Sequence, residues 1–224
     1  WAEAGYGNYN QYRFGGGVTG PIGESVAYRI DGLWTKRDGF MKDVVSGRDI
    51  NDRKRWLVRG KLLMEPSDAL SVLISADYAK RNEECCVGAY LPVANVTRNA
   101  DGTLTRSTSS VAQIIRSMTS VVPGAGRGIV NDDTFSREVA ITPGQDYQSN
   151  VRDAGVSAES NYDLGGARLT SISAYRDWNY VRGQDADFNN LDILRRDSDG
   201  DSFTRFKTFT QELRLQGEAF EGKL

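Results

Sequence analysis

The chain has no histidine. Histidine-based acid–base catalysis, histidine-assisted nucleophiles and histidine metal ligands are therefore excluded within it. Its two cysteines are neighbours, Cys85 and Cys86, so no framework of cross-links organises the fold. No run approaches the roughly 18 apolar residues of a membrane-spanning helix, and mean hydropathy is −0.50. Neither charge sign dominates. Twenty-eight Lys and Arg stand against 30 Asp and Glu, the net charge is −2 and the pI is near 5.4. No global basic field recruits nucleic acid. The chain also lacks an initiator Met and a signal peptide. Its pattern is already under way at Trp1 and unfinished at Leu224, so both ends read as truncations, with any targeting segment outside them.

What is present is glycine, 24 residues, and tyrosine, 10, against only five prolines. That balance suits β-structure with many tight turns. From Ser25 to Lys36, Val26, Tyr28, Ile30, Gly32 and Trp34 alternate with Ala27, Arg29, Asp31, Leu33 and Thr35. Period two puts the two sets on opposite faces of a strand. Trp56, Val58, Gly60, Leu62 and Met64 likewise oppose Leu57, Arg59, Lys61, Leu63 and Glu65. Leu70, Val72, Ile74, Ala76 and Tyr78 oppose Ser71, Leu73, Ser75, Asp77 and Ala79. Similar runs occur at Tyr12–Thr19 and Val156–Leu164, with less tidy ones at Thr170–Trp178 and Gln211–Gln216 and a short opening run at Trp1–Asn8. The count is about eight strands.

The connections carry separate information. Pro21-Ile22-Gly23-Glu24, Pro66-Ser67-Asp68-Ala69 and Leu164-Gly165-Gly166-Ala167 are short turn signals. Phe40–Arg55, Asn82–Tyr147 and Gly183–Ser202 are long excursions, the second far beyond ordinary loop length. Short and long connections alternate strictly, which puts the turns at one end and the loops at the other. The fold class read from this is all-β: a transmembrane antiparallel up-and-down β-barrel, here an incomplete open segment in one partial domain over residues 1–224. The face expected toward lipid carries Val26, Tyr28, Ile30, Trp34, Trp56, Val58, Leu62, Val72, Ile74, Leu213 and Leu215. The face expected toward the lumen carries Arg29, Asp31, Arg59, Lys61, Asp77, Glu159, Glu212 and Arg214. Trp34, Trp56, Trp178 and Tyr180 fall near the long-loop ends and read as an aromatic belt. In the longest loop, Val111, Ile114, Ile115 and Met118 share a helical stripe. Ser109 or Ser110 is placed to cap that helix, and Pro123 follows its end.

Candidate chemical motifs are few. Asp197-Ser198-Asp199-Gly200-Asp201 resembles a calcium loop, but its spacing departs from the EF-hand and no Glu stands at the twelfth position, so it reads as a solvated acidic loop. Gly124-Ala125-Gly126-Arg127-Gly128 follows no strand and opens no helix, which argues against phosphate binding. For Cys85-Cys86 three readings compete: a local disulfide clip, two free thiols, or a partner cysteine outside the chain. The clip is preferred because an oxidising exterior permits it. Carboxylate pairs are scattered over separate strands. The expectation is no enzyme, no cofactor and no metal.

Several segments together resemble the barrel domain of TonB-dependent receptors. Gly5-Tyr6-Gly7-Asn8-Tyr9-Asn10, Val18-Thr19-Gly20-Pro21-Ile22 and Tyr28-Arg29-Ile30-Asp31-Gly32 are similar to early strands. Arg37-Asp38-Gly39-Phe40 and Ser46-Gly47-Arg48-Asp49-Ile50-Asn51-Asp52-Arg53 are similar to the following loop. Leu169–Arg176 and Phe209–Leu215 resemble later strands. The resemblance implies a plugged barrel of about 22 strands in the bacterial outer membrane. It also implies active uptake of a scarce nutrient such as an iron–siderophore complex, energised by the TonB system through a plug domain. The partners expected are thus outer-membrane lipid, the plug and remaining strands of the same protein, the TonB system and a small-molecule ligand, with no nucleic acid. A passive porin-type channel and a soluble β-rich binding module are the alternatives. No ligand residue is carried over. Tyr90 and Arg98 are read as ordinary exposed loop positions rather than ligand contacts.

Overall fold

The computed structural model describes residues 1–121, 128–133, 135–144, 147–197 and 202–217. In chain order its elements are β1 (Ala2–Gly7), β2 (Gln11–Pro21), β3 (Val26–Arg37), β4 (Met41–Asp43), β5 (Asp49–Ile50), β6 (Arg53–Ser67), β7 (Leu70–Arg81), β8 (Val93–Arg98) and β9 (Leu104–Thr108). There follow α1 (Ser110–Val121), β10 (Glu138–Val139), β11 (Ser149–Asp163), β12 (Ala167–Arg182), β13 (Gln184–Asp185), β14 (Arg195–Arg196) and β15 (Phe203–Gly217).

Eight long strands form one antiparallel sheet in the order β1-β2-β3-β6-β7-β11-β12-β15. Each pairs with the next long strand in sequence, and β1 and β15 are left as open edges. This is an incomplete up-and-down wall, as the period-two pattern and turn spacing require. The structural strands outrun the sequence pattern at the long-loop end, where β11 starts at Ser149 and β15 at Phe203.

Three long connections stand at one end of the wall and three short turns at the other. The β1–β2 connection breaks the expected strict alternation, because it is short and lies at the long-loop end. Tyr9 and Asn10 both adopt positive φ there, 60° and 49°. That is the backbone twist a tight hairpin needs.

The three long loops fold into one structure. A buried cluster joins Met41 and Ile50 from the first to Val87, Val139, Ile141 and Tyr147 from the second, with Phe188 of the third packed against it. Strands β10, β4 and β5 make a small sheet inside it. Among the described residues the buried apolar cluster therefore sits in this cap, not in the wall. Helix α1 forms where expected, and the Ser109 hydroxyl accepts a bond from the Ala112 amide, an N-cap. The buried side differs from the expected stripe: Ala112 and Ile115 are buried, whereas Val111 and Ile114 are exposed.

Candidate functional site

Strand register sorts the wall into two faces. Val26, Tyr28, Ile30 and Trp34 stand opposite Met64, Leu62, Gly60 and Trp56. Val58, Leu62 and Met64 in turn oppose Tyr78, Ile74 and Val72. At the far edge, Leu213 and Leu215 oppose Ser171 and Leu169. The connecting rows through β11 keep all of these on one side. Arg29, Asp31, Arg59, Lys61, Asp77, Glu159, Glu212 and Arg214 occupy the other. Among the large hydrophobic residues exposed on wall strands, Phe206 alone lies on the charged face. A sheet whose open apolar side spans eight strands is built to be covered by something apolar.

The charged face is knitted by ion pairs within strands and across them. Arg13 meets Glu3 at 2.5 Å, and Arg29 meets Asp31, which also accepts from the Trp1 indole N–H. Arg176 on β12 reaches Asp153 at 2.5 Å and, two strands away, Asp77 at 3.0 Å. The reach depends on Gly155 in the strand between, where a Cβ would sit 2.7 Å from the guanidinium. Arg214 pairs with Glu212.

Arg176 also corrects one expectation. Thr170, Ile172, Ala174, Trp178 and Tyr180 share its parity and therefore its face. Trp178 and Tyr180 thus belong to the charged side and cannot form one belt with Trp34 and Trp56. Trp178 packs on Tyr180 and Phe206 there. On the apolar side the residue of β12 at the comparable level is Tyr175.

Beneath the cap, the charged face carries a cleft of about 490 Å³. Leu33, Leu57 and Trp178 give it apolar walls, and Arg13, Arg53, Arg55 and Arg81 bring guanidinium groups. Arg55 and Arg81 both address Glu83, which is buried and also accepts from the Lys54 amide. Arg53 has no ion-pair partner among the described residues. The cleft therefore combines apolar surface with excess positive charge, which suits an anionic ligand with an apolar part.

Buried polar side chains hold the cap together. Asp43 is fully buried and accepts from the amides of Val45, Ser46 and Ile141 and from the Ser46 hydroxyl. Asp185 accepts from the amides of Thr142 and Phe188, tying the third loop to the second. Burial pushes the Asp185 carboxyl up from its usual range; the Thr142 amide opposes this, and Asp187 adds to it. The Tyr147 hydroxyl lies beside Asp185 without a hydrogen-bond partner among the described residues. Burial, then Asp185, raises it far above an ordinary phenol. Tyr90 is partly buried, not an exposed loop position, and its hydroxyl donates to the Asp187 carbonyl at 2.7 Å. Arg98 is exposed at the end of β8.

The sulfur atoms of Cys85 and Cys86 lie within bonding reach of each other, as the expected clip requires. Their segment is held by side chains from the other two long loops. Asn51 bonds the amide and carbonyl of Val87, and the Gln184 side chain donates to the Cys86 carbonyl. No group of three or more metal-ligating side chains occurs among the described residues. Most of the calcium-like segment, residues 198–201, lies outside the described residues, as do 124–127 of the glycine-rich run and Pro123.

No protein-family model matches the chain, and no curated protein matches it. Solved structures do. The ferric yersiniabactin uptake receptor FyuA from Yersinia pestis is similar over 98% of this chain and 28% of its own, at 18% identity and a TM-score of 0.60. The ferric-catecholate import receptor Fiu from E. coli K12, in a closed form, is similar over 95% of this chain and 26% of its own, at 12% identity and a TM-score of 0.51. The chain thus spans little more than a quarter of either receptor. At such identities the likeness concerns the fold, and at that level the resemblance to TonB-dependent receptors holds: the chain has the fold of an open segment of their β-barrel wall.

Proposed function

We propose that the chain is part of the wall and outer cap of a TonB-dependent transporter in the bacterial outer membrane, taking up a scarce nutrient such as a ferric siderophore. The observation that carries this reading is the segregation of the two wall faces. The side holding Ile30, Val58 and Leu213 meets lipid, and the side holding Arg29, Arg59 and Arg176 lines the lumen. Within a bilayer only helices and closed barrels satisfy their backbone groups. The open edges of β1 and β15 therefore pair with further strands of the same protein. Transport energy comes from the TonB system through a plug domain elsewhere in that protein. The arginine-rich cleft under the cap supports an anionic cargo with apolar parts.

The test is uptake of radiolabelled iron from a panel of siderophores by cells grown under iron limitation, with the gene intact, deleted and restored. Loss of one siderophore's uptake on deletion, dependent on TonB, is expected. Uptake that survives loss of TonB would instead make the protein a passive pore. A product found in the soluble fraction would overturn the membrane reading.

A further inference from the structure

The charges on the apolar face follow a rule. Read each strand from its short-turn end toward the cap, along that face only. β1 and β2 carry no charge there; on the other six strands the first charged residue is Lys36 on β3, Lys54 on β6, Lys80 on β7, Arg152 on β11, Asp177 on β12 and Lys207 on β15. Their register forms a staircase. Lys36 faces Lys54. Trp56, two residues nearer the turn end than Lys54, faces Lys80, and Lys80 faces Arg152. Ala154, again two residues lower, faces Asp177, and Asp177 faces Lys207. The onset of charge thus drops four residues over five strand-to-strand steps. At about 3.3 Å per residue and about 4.8 Å between strands, the slope is roughly 30°.

Barrel strands tilt by about 35–45° from the barrel axis. A line at constant depth must cross the hydrogen-bonded rows at that tilt. The staircase has nearly that slope, so these six charges lie near one plane. The residues one step below them, Trp34, Trp56, Tyr78, Ala154, Tyr175 and Phe209, descend in parallel, and all but Ala154 are aromatic. An aromatic girdle bordered on its outer side by cations marks the level where lipid headgroups begin.

Five of the six charges are cationic, and the one acid, Asp177, is already held by Arg205. Lys80 and Arg152 stand directly opposite each other, and neither has a carboxylate partner among the described residues. Like charges in that position repel unless an anion lies between them. Both, with the paired Asp177 and Arg205, line a polar groove of about 740 Å³ on this face, where Asn150 and Asn179 add amide groups.

We propose that this groove binds the phosphorylated headgroup of an outer-leaflet glycolipid, with Lys80 and Arg152 as the phosphate contacts. Such a site fixes one lipid against the wall at the junction of β7, β11 and β12, under the longest loop. The inference rests on the reading that the apolar face meets lipid.

The experiment uses the full-length protein purified in detergent and mixed with bis-phosphorylated lipid A, with retained lipid counted by native mass spectrometry. The double variant Lys80→Gln/Arg152→Gln should lose lipid A retention at least tenfold, and Lys80→Arg/Arg152→Lys should keep it. A heat-dependent gel shift checks that both variants form the barrel. Equal retention by the Gln pair overturns the site. Displacement of lipid A by millimolar inorganic phosphate overturns the lipid as its occupant and leaves a free-anion site. The underlying reading is tested apart, with nitroxide labels at Val58 and Arg59 in lipid vesicles. Oxygen quenching strong at Val58 and weak at Arg59 is expected; the reverse would invert the faces whatever lipid A does.

Discussion

On the proposed reading, adjacent residues on one wall strand meet different solvents, and substitutions should reveal it. Ile30 is centred in the apolar span of β3, between Val26 and Trp34, while Arg29 points the other way and pairs with Asp31. Ile30→Arg is expected to cost about 2–4 kcal/mol near the bilayer midplane; Arg29→Gln should cost far less. Urea titration of the full-length protein folding into lipid vesicles measures both, and equal tolerance would refute the register's orientation. A second residue-scale effect concerns Asp185. Its carboxyl is raised in the folded cap, chiefly by burial. A group raised on folding stabilises most fully below its unfolded value, about 3.9, and that contribution is lost as pH climbs through the folded value. Hydrogen exchange at the Thr142 and Phe188 amides, corrected for intrinsic rates, should therefore speed up as pH rises above about 4. Asp185→Asn should flatten that dependence. An unchanged slope in the variant would remove Asp185 as its source.

At the scale of elements, strands were legible in the sequence wherever one face was apolar over most of its length and the charges gathered on the other. β3, β6 and β7 meet that condition up to the lysine at the cap end of each. β12 does not: Ile172, Ala174 and Trp178 share a face with Arg176, and Tyr175 shares the other with Asp177. The register with neighbouring strands and the reach of Arg176 to Asp153 and Asp77 tell which side is which, and periodicity within one strand holds no such information. The cap was not legible at all. Its core takes Met41, Ile50, Val139, Ile141 and Tyr147 from segments far apart in the chain, each lying outside any periodic run. The Cys85–Cys86 clip belongs to this scale too, since its segment is pinned by Asn51 and Gln184 from the other two loops. Maleimide should label neither cysteine in protein taken directly from cells, and both after reduction. Two thiols reactive without reductant would contradict the clip.

For the whole molecule, an open sheet is a fragment of a curve. β1 and β15 each leave one side of their backbone unpaired, and one face of the wall is apolar across all eight strands. Exposed edges of that length recruit other chains. The isolated 224-residue polypeptide is therefore expected to aggregate in the absence of lipid or detergent. A soluble monomer that unfolds cooperatively, followed by sedimentation and circular dichroism, would be incompatible with the wall described above. The overall class was legible in the sequence because strand period and turn spacing are both local. The depth proposed for the wall was not, because it rests on the slanted line across six strands and on no strand alone.

The shared core of the cap has a consequence for how such proteins diversify. Val87 and Ile141 from one loop, Met41 and Ile50 from another and Phe188 from the third shape one another's surroundings. A recombination event that exchanges a single loop leaves the other two packed around a stranger. The three loops are therefore expected to behave as a single unit of inheritance. Functional exchanges between relatives should carry all three together, with the wall strands between them free to drift.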